Sequence, residues 1–495
     1  FVATTSLSGL RMQLKASRTT KAPLSLQLPE GAHFSLGGEQ LRVSGFNLTL
    51  RSTGTGAHID GEHLSRLLLV EGGAAVQLHN LHLVNGGGSL IEPEERVKVV
   101  GRGALSAEER DEDGAGGFSL WNRSSCRMTS CTITHCSSVY GGAAGYLSDG
   151  SSCTMTSCTI AHCGAYAGAG AMELDDSSAS LWNTAIVNCS SAVQGGGIVL
   201  WGSELSLTDS SIVSCHASGN LFGGGAVLMD NSKDFPDNRA SLTMTRVHVT
   251  DCHTKGSGGA LFIAQKSAAI LTDTSIVGCS ASLDGGAVVM LASSTASLVR
   301  SQIINCSALS GSGGAMVVIS SRAALIGTTI QKCRVEGFRA EAASYFVQVD
   351  RPILTQGGGI FAHGSRTLLQ NGTSIVGCYA PGPGSVITGV AGSQFMAQLP
   401  APPGRWIAGS ECLVYRESCP SGKGVGDCLK VASQCAREAN ITARVDGVPC
   451  RPATRAQPCA ARSIPSSYNH RAGPAAAQGA LVLARAHGGL WTPRA

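Results

Sequence analysis

One cysteine recurs through the middle of the chain at a nearly constant interval, and this repeat constrains the fold more than any other feature. Each copy stands three positions after an isoleucine or a valine. Successive copies lie 26 or 27 residues apart, except across two longer intervals that contain insertions. A unit this short cannot bury its own apolar face, so it must stack on its neighbours. The nine copies are Cys136, Cys163, Cys189, Cys215, Cys252, Cys279, Cys306, Cys333 and Cys378.

Other residue types keep the same register. An apolar residue stands eight positions before each cysteine except the last, a small, polar or charged residue stands six positions before it, and a Gly-rich step such as Gly285-Gly-Ala287 follows. Apolar and polar residues alternate within the short segments, as in 241–245, which is typical of strands. Stacking would place equivalent residues about 4.8 Å apart, so the isoleucines form an interior ladder. The glycines permit a tight bend with positive φ, and the polar column forms an outward bend.

The pattern predicts an all-β fold, a parallel β-helix of about 27 residues per coil and roughly 12 coils. Propeller blades need about 40 residues or more, so a propeller fits the repeat less well. No segment has the length and pattern of an amphipathic helix. The domain boundaries that we predict are a lead-in or cap over 1–40, the β-helix over 41–395, a Cys-rich module over 396–462 and a disordered tail over 463–495. Loop insertions are predicted at about 92–114, 231–240 and 335–352.

Composition excludes several classes of protein. The chain has 64 glycines in 495 residues and only 14% charged residues. Glycine at this frequency disfavours helical proteins, and it lacks the three-residue period of collagen. A net charge of +4 gives no strong attraction to nucleic acid. No apolar run is long enough for a membrane segment, and no signal peptide is visible. The first residue is Phe1 and not Met, so we expect the chain to be part of a larger protein.

The 19 cysteines favour an oxidising compartment, so we predict an extracellular or cell-surface location. Six of them lie close together near the C-terminus and predict a small disulfide module. Six Asn-x-Ser/Thr sequons agree with a glycoprotein. The six clustered cysteines are Cys412, Cys419, Cys428, Cys435, Cys450 and Cys459, and the sequons begin at Asn47, Asn122, Asn188, Asn305, Asn371 and Asn440.

Two coils carry additional cysteines. Cys126 and Cys131 recur 27 residues later as Cys153 and Cys158. Stacked neighbours have the Cα spacing that a disulfide needs, about 4.4–6.8 Å, so we predict bridges between these two coils. For the nine-membered column we favour buried thiols, because free cysteine packs as a small apolar residue and an odd number cannot pair completely. No metal site is predicted from the cysteines, since no Cys-x-x-Cys motif is present.

The Ile-x-x-Cys and Gly-Gly-Ala rhythm resembles the repeat of the chlamydial polymorphic outer membrane proteins, whose pattern is Phe-x-x-Asn with Gly-Gly-Ala-Ile. The resemblance covers about residues 41–395, with Ile133-x-x-Cys136 and its copies standing where that family has Phe and Asn. The chain is also similar to right-handed β-helices of the pectin-lyase-like superfamily. Such repeats followed by a Cys-rich module look like large surface proteins of marine protists. The resemblance implies a right-handed coil, secretion, and an adhesive or structural role.

Acidic residues follow the Gly-rich step in four consecutive coils: Asp149, Asp175 with Asp176, Glu204, and Asp230. We interpret them mainly as solvated bends. The alternatives are a Ca²⁺ site, because calcium favours several oxygen ligands, and a carboxylate pair for glycoside hydrolysis, in which Asp149, Asp176, Glu204 and Asp230 are the candidates. Later coils carry Lys266, Arg322 and Arg366 near the same position.

Two further patterns lie on predicted bends. Arg246, Asp273 and Arg300 alternate in sign and predict an exposed ladder of charges. His135 and His162 occupy equivalent places in adjacent coils and are interpreted as surface residues, with a pH-sensitive pair as the alternative.

The sequence therefore predicts an extracellular β-helix protein with a structural, adhesive, or glycan- or protein-binding role, and with no cofactor. The alternative function is a polysaccharide lyase or glycoside hydrolase that uses carboxylates on one face of the helix. Glycans or surface proteins are the expected partners.

Overall fold

The computed structural model describes residues 2–87, 114–219, 223–231, 239–337, 357–380, 387–390, 393–397, 444–445 and 448–449. It confirms the predicted fold, an all-β, right-handed parallel solenoid of about 12 turns with about 27 residues per turn. Three long parallel sheets contain 14, 12 and 12 strands, and eight coils add a strand to a short fourth sheet. We call the long sheets A, B and C and the short sheet D; within each full coil the chain passes through C, A, B and D in that order.

The strands of the four sheets are as follows. Sheet A contains Val2–Ala3, Leu24–Gln27, Leu48–Arg51, Ala75–His79, Ser125–Thr129, Ser152–Thr156, Ser178–Trp182, Glu204–Thr208, Ser241–Thr245, Ala268–Thr272, Thr295–Val299, Arg322–Ile326, Arg366–Gln370 and Gln394–Ala397. Sheet B contains His33–Ser35, Ala57–Asp60, Leu81–Val84, Thr132–Thr134, Thr159–Ala161, Ala185–Val187, Ser211–Val213, His248–Thr250, Ser275–Val277, Gln302–Ile304, Thr329–Gln331 and Ser374–Val376. Sheet C contains Leu41–Ser44, Leu68–Glu71, Phe118–Leu120, Gly145–Leu147, Met172–Asp175, Ile198–Trp201, Val227–Asp230, Leu261–Ile263, Val288–Met290, Met316–Ile319, Ile360–His363 and Ile387–Val390. Sheet D contains Ser137–Ser138, Gly164–Ala165, Ser190–Ser191, His216–Ala217, His253–Thr254, Ser280–Ala281, Ser307–Ala308 and Arg334–Val335. A separate antiparallel pair joins Arg444–Val445 to Val448–Pro449.

An N-terminal α-helix, Leu7–Thr20, was not predicted from the sequence. The Ser6 side chain caps it by accepting a hydrogen bond from the backbone N–H of Gly9. Leu10 and Leu14 are buried and join the main core. The helix was not predicted because its apolar stripe is narrow and the surrounding segment is polar. The helix covers the end of the solenoid, as a capping element does in repeat proteins. The strands Leu24–Gln27 and His33–Ser35 precede residue 41 and already belong to sheets A and B.

The predicted interior ladders are confirmed. Ile276 pairs in register with Ile303, and Ile303 with Ile330, and all three side chains are buried. The nine cysteines of the repeat are also buried, with exposed fractions from 0% to 7%. The isoleucine and cysteine columns belong to one continuous hydrophobic core.

Two of the left-handed corners in a coil flank its sheet B strand. Asp273 and Gly278, for example, have φ values of 51° and 68°. The residue after each corner returns a hydrogen bond: Thr274 Oγ1 donates to the Thr272 carbonyl over 3.1 Å, and Cys279 Sγ donates to the Val277 carbonyl over 3.6 Å. The predicted outward bends are therefore corners, each stabilised by a hydrogen bond from a small, inward-facing side chain to a backbone carbonyl.

The two glycines of the Gly-Gly-Ala step have different roles. The first, as at Gly285, has a positive φ of 63°, which agrees with the prediction. The second, Gly286, lacks a positive φ, but a Cβ there would collide with the carbonyl oxygen of Gly314 in the next coil. Gly259 and Gly314 meet the same obstacle. This column therefore requires glycine because successive coils approach too closely for any side chain.

A second apolar cluster lies on the outer face of sheet C. Val199, Leu228, Phe262, Val289 and Val317 are buried there, outside the coil interior. The Gly-rich steps fold back onto this face, since a Cβ on Gly313 would contact Val317. The sheet C strands are consequently apolar on both faces, as buried parallel strands are.

Several predictions fall on other parts of the chain. Most of each predicted insertion, the six clustered cysteines and the predicted tail lie outside the described residues. Across the described ranges, no helix is both long and apolar enough to span a membrane.

We predict that Gly286→Ala destabilises the protein by about 3 kcal/mol, because backbone has to move to admit the methyl group. Gly164→Ala is the matched control, since its Cβ would meet the Ser190 side-chain oxygen at 3.3 Å and the Ser190 carbonyl oxygen at 3.9 Å, with no backbone clash. Urea-unfolding midpoints of the two variants provide the measurement. Equal midpoints would show that close coil contact does not dictate the second glycine.

Candidate ligand-binding edge

The turn that joins each sheet C strand to the following sheet A strand forms one long edge, which we call the C–A edge. Left-handed residues make the turn, among them Asp149, Asp176, Lys266 and Ser293. Buried serines lie behind it in a column, and the N–H of Ser294, for example, donates to Ser321 Oγ over 3.2 Å. The backbone that carries the outer side chains of this edge is therefore held by hydrogen bonds between successive coils.

The predicted acidic residues occupy three different positions of this edge. Asp175 pairs in register with Trp201, which pairs with Asp230, so these two carboxylates share a column two coils apart. Asp149 and Asp176 lie at the left-handed corner. Glu204 is the exposed first residue of a sheet A strand.

The carboxylates therefore share an edge without forming one column. In the part of the chain that the structure describes, no group of three or more His, Cys, Asp or Glu side chains is placed to hold a metal ion. The calcium site and the catalytic pair stay predictions.

Asp230 is unusual because it is buried, with an exposed fraction of 4%. Its Oδ1 accepts the backbone N–H of Asn231 over 2.7 Å. Burial raises the pKa of Asp230 to about 7, against the smaller opposing effect of that hydrogen bond. A carboxyl group in this state is partly protonated near neutral pH.

Sequence reasoning missed two residues beside these acids. Glu173 is buried and accepts a hydrogen bond from Trp201 Nε1 over 3.0 Å. It pairs in register with Val199, so it replaces an apolar residue in the column of the outer cluster. The sequence could have marked this acidic residue as exceptional only if the outer face of sheet C had been known to be buried. Nearby, the rings of Trp121 and Tyr146 lie 5.2 Å apart.

A basic groove lies farther along the same edge. Its volume is about 540 Å³, and four cationic side chains line it together with serine and threonine hydroxyls. Arg322 and Arg366 are register partners on adjacent strands. All four cations are exposed, and within the described ranges none forms an ion pair with a carboxylate. The lining residues are Arg239, Lys266, Ser293, Thr295, Ser320, Ser321, Arg322, Gly364 and Arg366.

Three of these cations were noted in the sequence, and the structure brings them together. Arg239 was missed because it lies within the predicted insertion at 231–240, where the repeat spacing is lost. The sequence could not show that the four side chains share one cavity.

The other charged corner is neutralised. Arg246 forms a two-point ion pair with Asp209, and Arg300 forms one with Asp273. The Arg246 guanidinium lowers the pKa of Asp209, and Arg300 lowers that of Asp273. The predicted ladder of alternating charge is thus two separate pairs.

The two histidines that occupy equivalent places in adjacent coils lie next to each other. The rings of His135 and His162 stack with their centroids 5.2 Å apart.

The cysteines proposed for bridges are placed as stacked neighbours. Cys126, Cys131, Cys153 and Cys158 are all buried, and each is a free thiol in the structure. Cys126 is the register partner of Cys153. The clustered C-terminal candidates lie outside the described residues.

Comparison with known proteins gives a match to one family model. The model for the right handed beta helix region matches residues 67–239. No curated protein matches the chain.

Solved structures show a distant likeness. A mannuronic acid specific polysaccharide family 6 lyase from human gut microbiota is 10% identical, with a TM-score of 0.37 over 80% of this chain and 86% of that chain. A family 6 polysaccharide lyase from Pseudopedobacter saltans is 9% identical, with a TM-score of 0.31 over 80% and 92%. Tailspike protein 3 of bacteriophage CBA120 is 11% identical, with a TM-score of 0.27 over 82% and 61%. The fold assignment rests on this chain's own strand pairing.

We predict that Asp230 makes stability depend on pH. The ordinary pKa of an aspartate is about 3.9, so between pH 4 and 7 the unfolded chain releases the proton first, and stability falls as the pH rises. Above the folded-state pKa the loss is constant. Relative to Asp230→Asn, the wild type should lose on the order of 2–4 kcal/mol from pH 4 to pH 8. Urea titrations of both proteins at several pH values measure this difference, and a difference independent of pH would contradict the assignment.

Proposed function

We propose that this β-helix binds an acidic polysaccharide, a linear chain of uronate sugars, through the basic groove of the C–A edge. The observation that carries the proposal is the convergence of Arg239, Lys266, Arg322 and Arg366 in one open cavity. Guanidinium groups bind carboxylates through two parallel hydrogen bonds, and the ammonium of lysine adds a point charge.

The hydroxyl groups of the groove complement these charges. Ser293, Thr295 and Ser320 line the cavity and are exposed. Hydroxyls both donate and accept, which suits the hydroxyls of a sugar. A site with four cations and several hydroxyls thus offers partners to both polar parts of a uronate sugar.

The orientation of the bound chain follows from the repeat. Adjacent coils are about 4.8 Å apart, so Arg322 and Arg366 present charges at that interval along the helix axis. Each sugar of an extended polyuronate advances by a comparable length and carries one carboxylate. A chain lying parallel to the helix axis would therefore place one carboxylate opposite each coil.

Binding fits the groove better than hydrolysis. Glycoside hydrolysis needs two carboxyl groups at the bond that breaks, and no described carboxylate lines the groove. The extracellular or cell-surface location stays a prediction, and an acidic matrix polysaccharide is the partner class that the proposal implies for that location.

The test is binding of a defined polyuronate to Arg322→Ala/Arg366→Ala by calorimetry at two salt concentrations. Loss of two charged hydrogen-bonding groups should weaken binding at least tenfold, or about 1.4 kcal/mol. The affinity of the wild type should fall as salt rises, because the contacts are ionic.

Arg246→Ala/Arg300→Ala is the matched control. It removes the same positive charge from exposed arginines on another corner and should leave the affinity nearly unchanged. Equal losses in both variants would reduce the interaction to nonspecific charge and overturn the groove as the site. Shortening of the polymer during the titration would instead support the lyase or hydrolase alternative.

A further inference from the structure

The two coils that carry extra cysteines contain a thiol pair unlike all others in the described chain. Cys126 and Cys153 face each other across adjacent sheet A strands. The column ends there, because Val76 precedes Cys126 and Ala179 follows Cys153 in register. Each of these two thiols therefore has one cysteine neighbour in its column.

Geometry permits a bond between them. In-register neighbours of a parallel sheet have Cα atoms about 4.8 Å apart, within the range of about 4.4–6.8 Å that disulfides use. Register places the two side chains opposite each other on the interior face of sheet A. Both side chains are almost fully buried, at 3% and 2% exposed.

The neighbouring pair, Cys131 and Cys158, has a different role. Cys131 Sγ donates to the Thr129 carbonyl over 3.4 Å, and Cys158 Sγ donates to the Thr156 carbonyl over 3.3 Å. Thr184 and Ser210 form the same bond at the equivalent corner of the next two coils. Oxidation would remove both S–H donors, so the corner favours the thiol form.

The nine-membered column resembles the second pair. Its thiols also donate to the carbonyl two residues back, as in Cys189 and Cys306. In contrast, across the described residues, neither Cys126 nor Cys153 donates a hydrogen bond to a backbone carbonyl. Oxidation of this pair therefore costs no corner bond.

We propose that Cys126 and Cys153 form a disulfide that joins two successive coils, while Cys131, Cys158 and the nine-membered column remain thiols. This selectivity narrows the prediction from the sequence, which included the pair Cys131–Cys158. The bridge ties together the coils that carry Trp121 and Asp149, at the acidic end of the C–A edge.

The oxidant is a small disulfide such as oxidised glutathione. The Cys126 thiolate attacks one of its sulfurs and releases one glutathione thiol. The Cys153 thiolate then attacks the Cys126 sulfur of the mixed disulfide and releases the second. Two electrons pass to the glutathione disulfide, and the two protons of the cysteines end on the two glutathione molecules. Because both thiols are buried in the folded rod, exchange must occur before this part of the coil closes.

The test is to refold the full chain in glutathione buffers of graded oxidised-to-reduced ratio, to alkylate free thiols under denaturing conditions, and to map peptides by mass spectrometry. The expected result is a linked Cys126–Cys153 peptide, with Cys131, Cys158 and Cys279 recovered as alkylated thiols. Recovery of Cys126 and Cys153 as alkylated thiols at every ratio would overturn the proposal. A linked Cys131–Cys158 peptide would overturn its selectivity.

Two variants supply an independent readout. Cys126→Ala/Cys153→Ala places in this column the residue that Ala179 and Ala269 already provide, and Cys131→Ser/Cys158→Ser copies Ser210 and Ser301 in the other column. Both variants should therefore fold. Dithiothreitol should lower the melting temperature of the oxidised wild type and of the serine variant by several degrees more than that of the alanine variant. An equal shift in all three proteins would contradict the bridge.

Discussion

In-register stacking of equivalent residues is the constraint on which this structure depends. Every long sheet is parallel, and each strand pairs with the same segment one coil earlier and one coil later. A residue at a given position of one coil therefore contacts the equivalent residues of the coils above and below. The same residue type is then favoured at that position in every coil. Isoleucine fills the interior, glycine fits where backbones nearly touch, and serine, threonine or cysteine holds the corners. The ladder explains why the repeat is visible in the sequence.

The cysteine column and the hydroxyl column have the same structural role, which is to stabilise the corners of the coil. A left-handed residue turns the chain, and the next side chain donates to the carbonyl two positions back. In the hydroxyl column, the side chain also accepts an N–H from the preceding coil, as Ser301 does from Thr274. Backbone polar groups that the turn removes from the sheets are thus paired inside the rod, where an unpaired group would cost stability.

Periodicity predicted the features that every coil repeats, and it failed for features that occur once. The isoleucine ladder and the left-handed bends were available from the sequence because copies reinforce one another. The helix Leu7–Thr20 has no copy, and Glu173 is a buried acidic residue next to an apolar column that the sequence did not mark as buried. The groove brings together residues that the sequence separates by insertions, so Arg239 could be assigned to it only from the structure. The role of Gly286 also needed the structure. Gly286 is required by the close approach of the Gly314 carbonyl oxygen and not by a positive φ, and the sequence does not reveal how closely two coils approach.

The regular spacing of coils links the fold to its proposed ligand. A solenoid presents equivalent outward positions at a fixed interval along its axis, which suits a polymer with its own fixed interval. The most direct test is therefore the affinity of the wild type for uronate oligosaccharides of increasing length. The account predicts that affinity rises with each added sugar up to about five, the number of coils that carry Arg239, Lys266, Ser293, Arg322 and Arg366 along the groove, and then levels off. An affinity that does not change with length, or that is matched by neutral oligosaccharides, would contradict it.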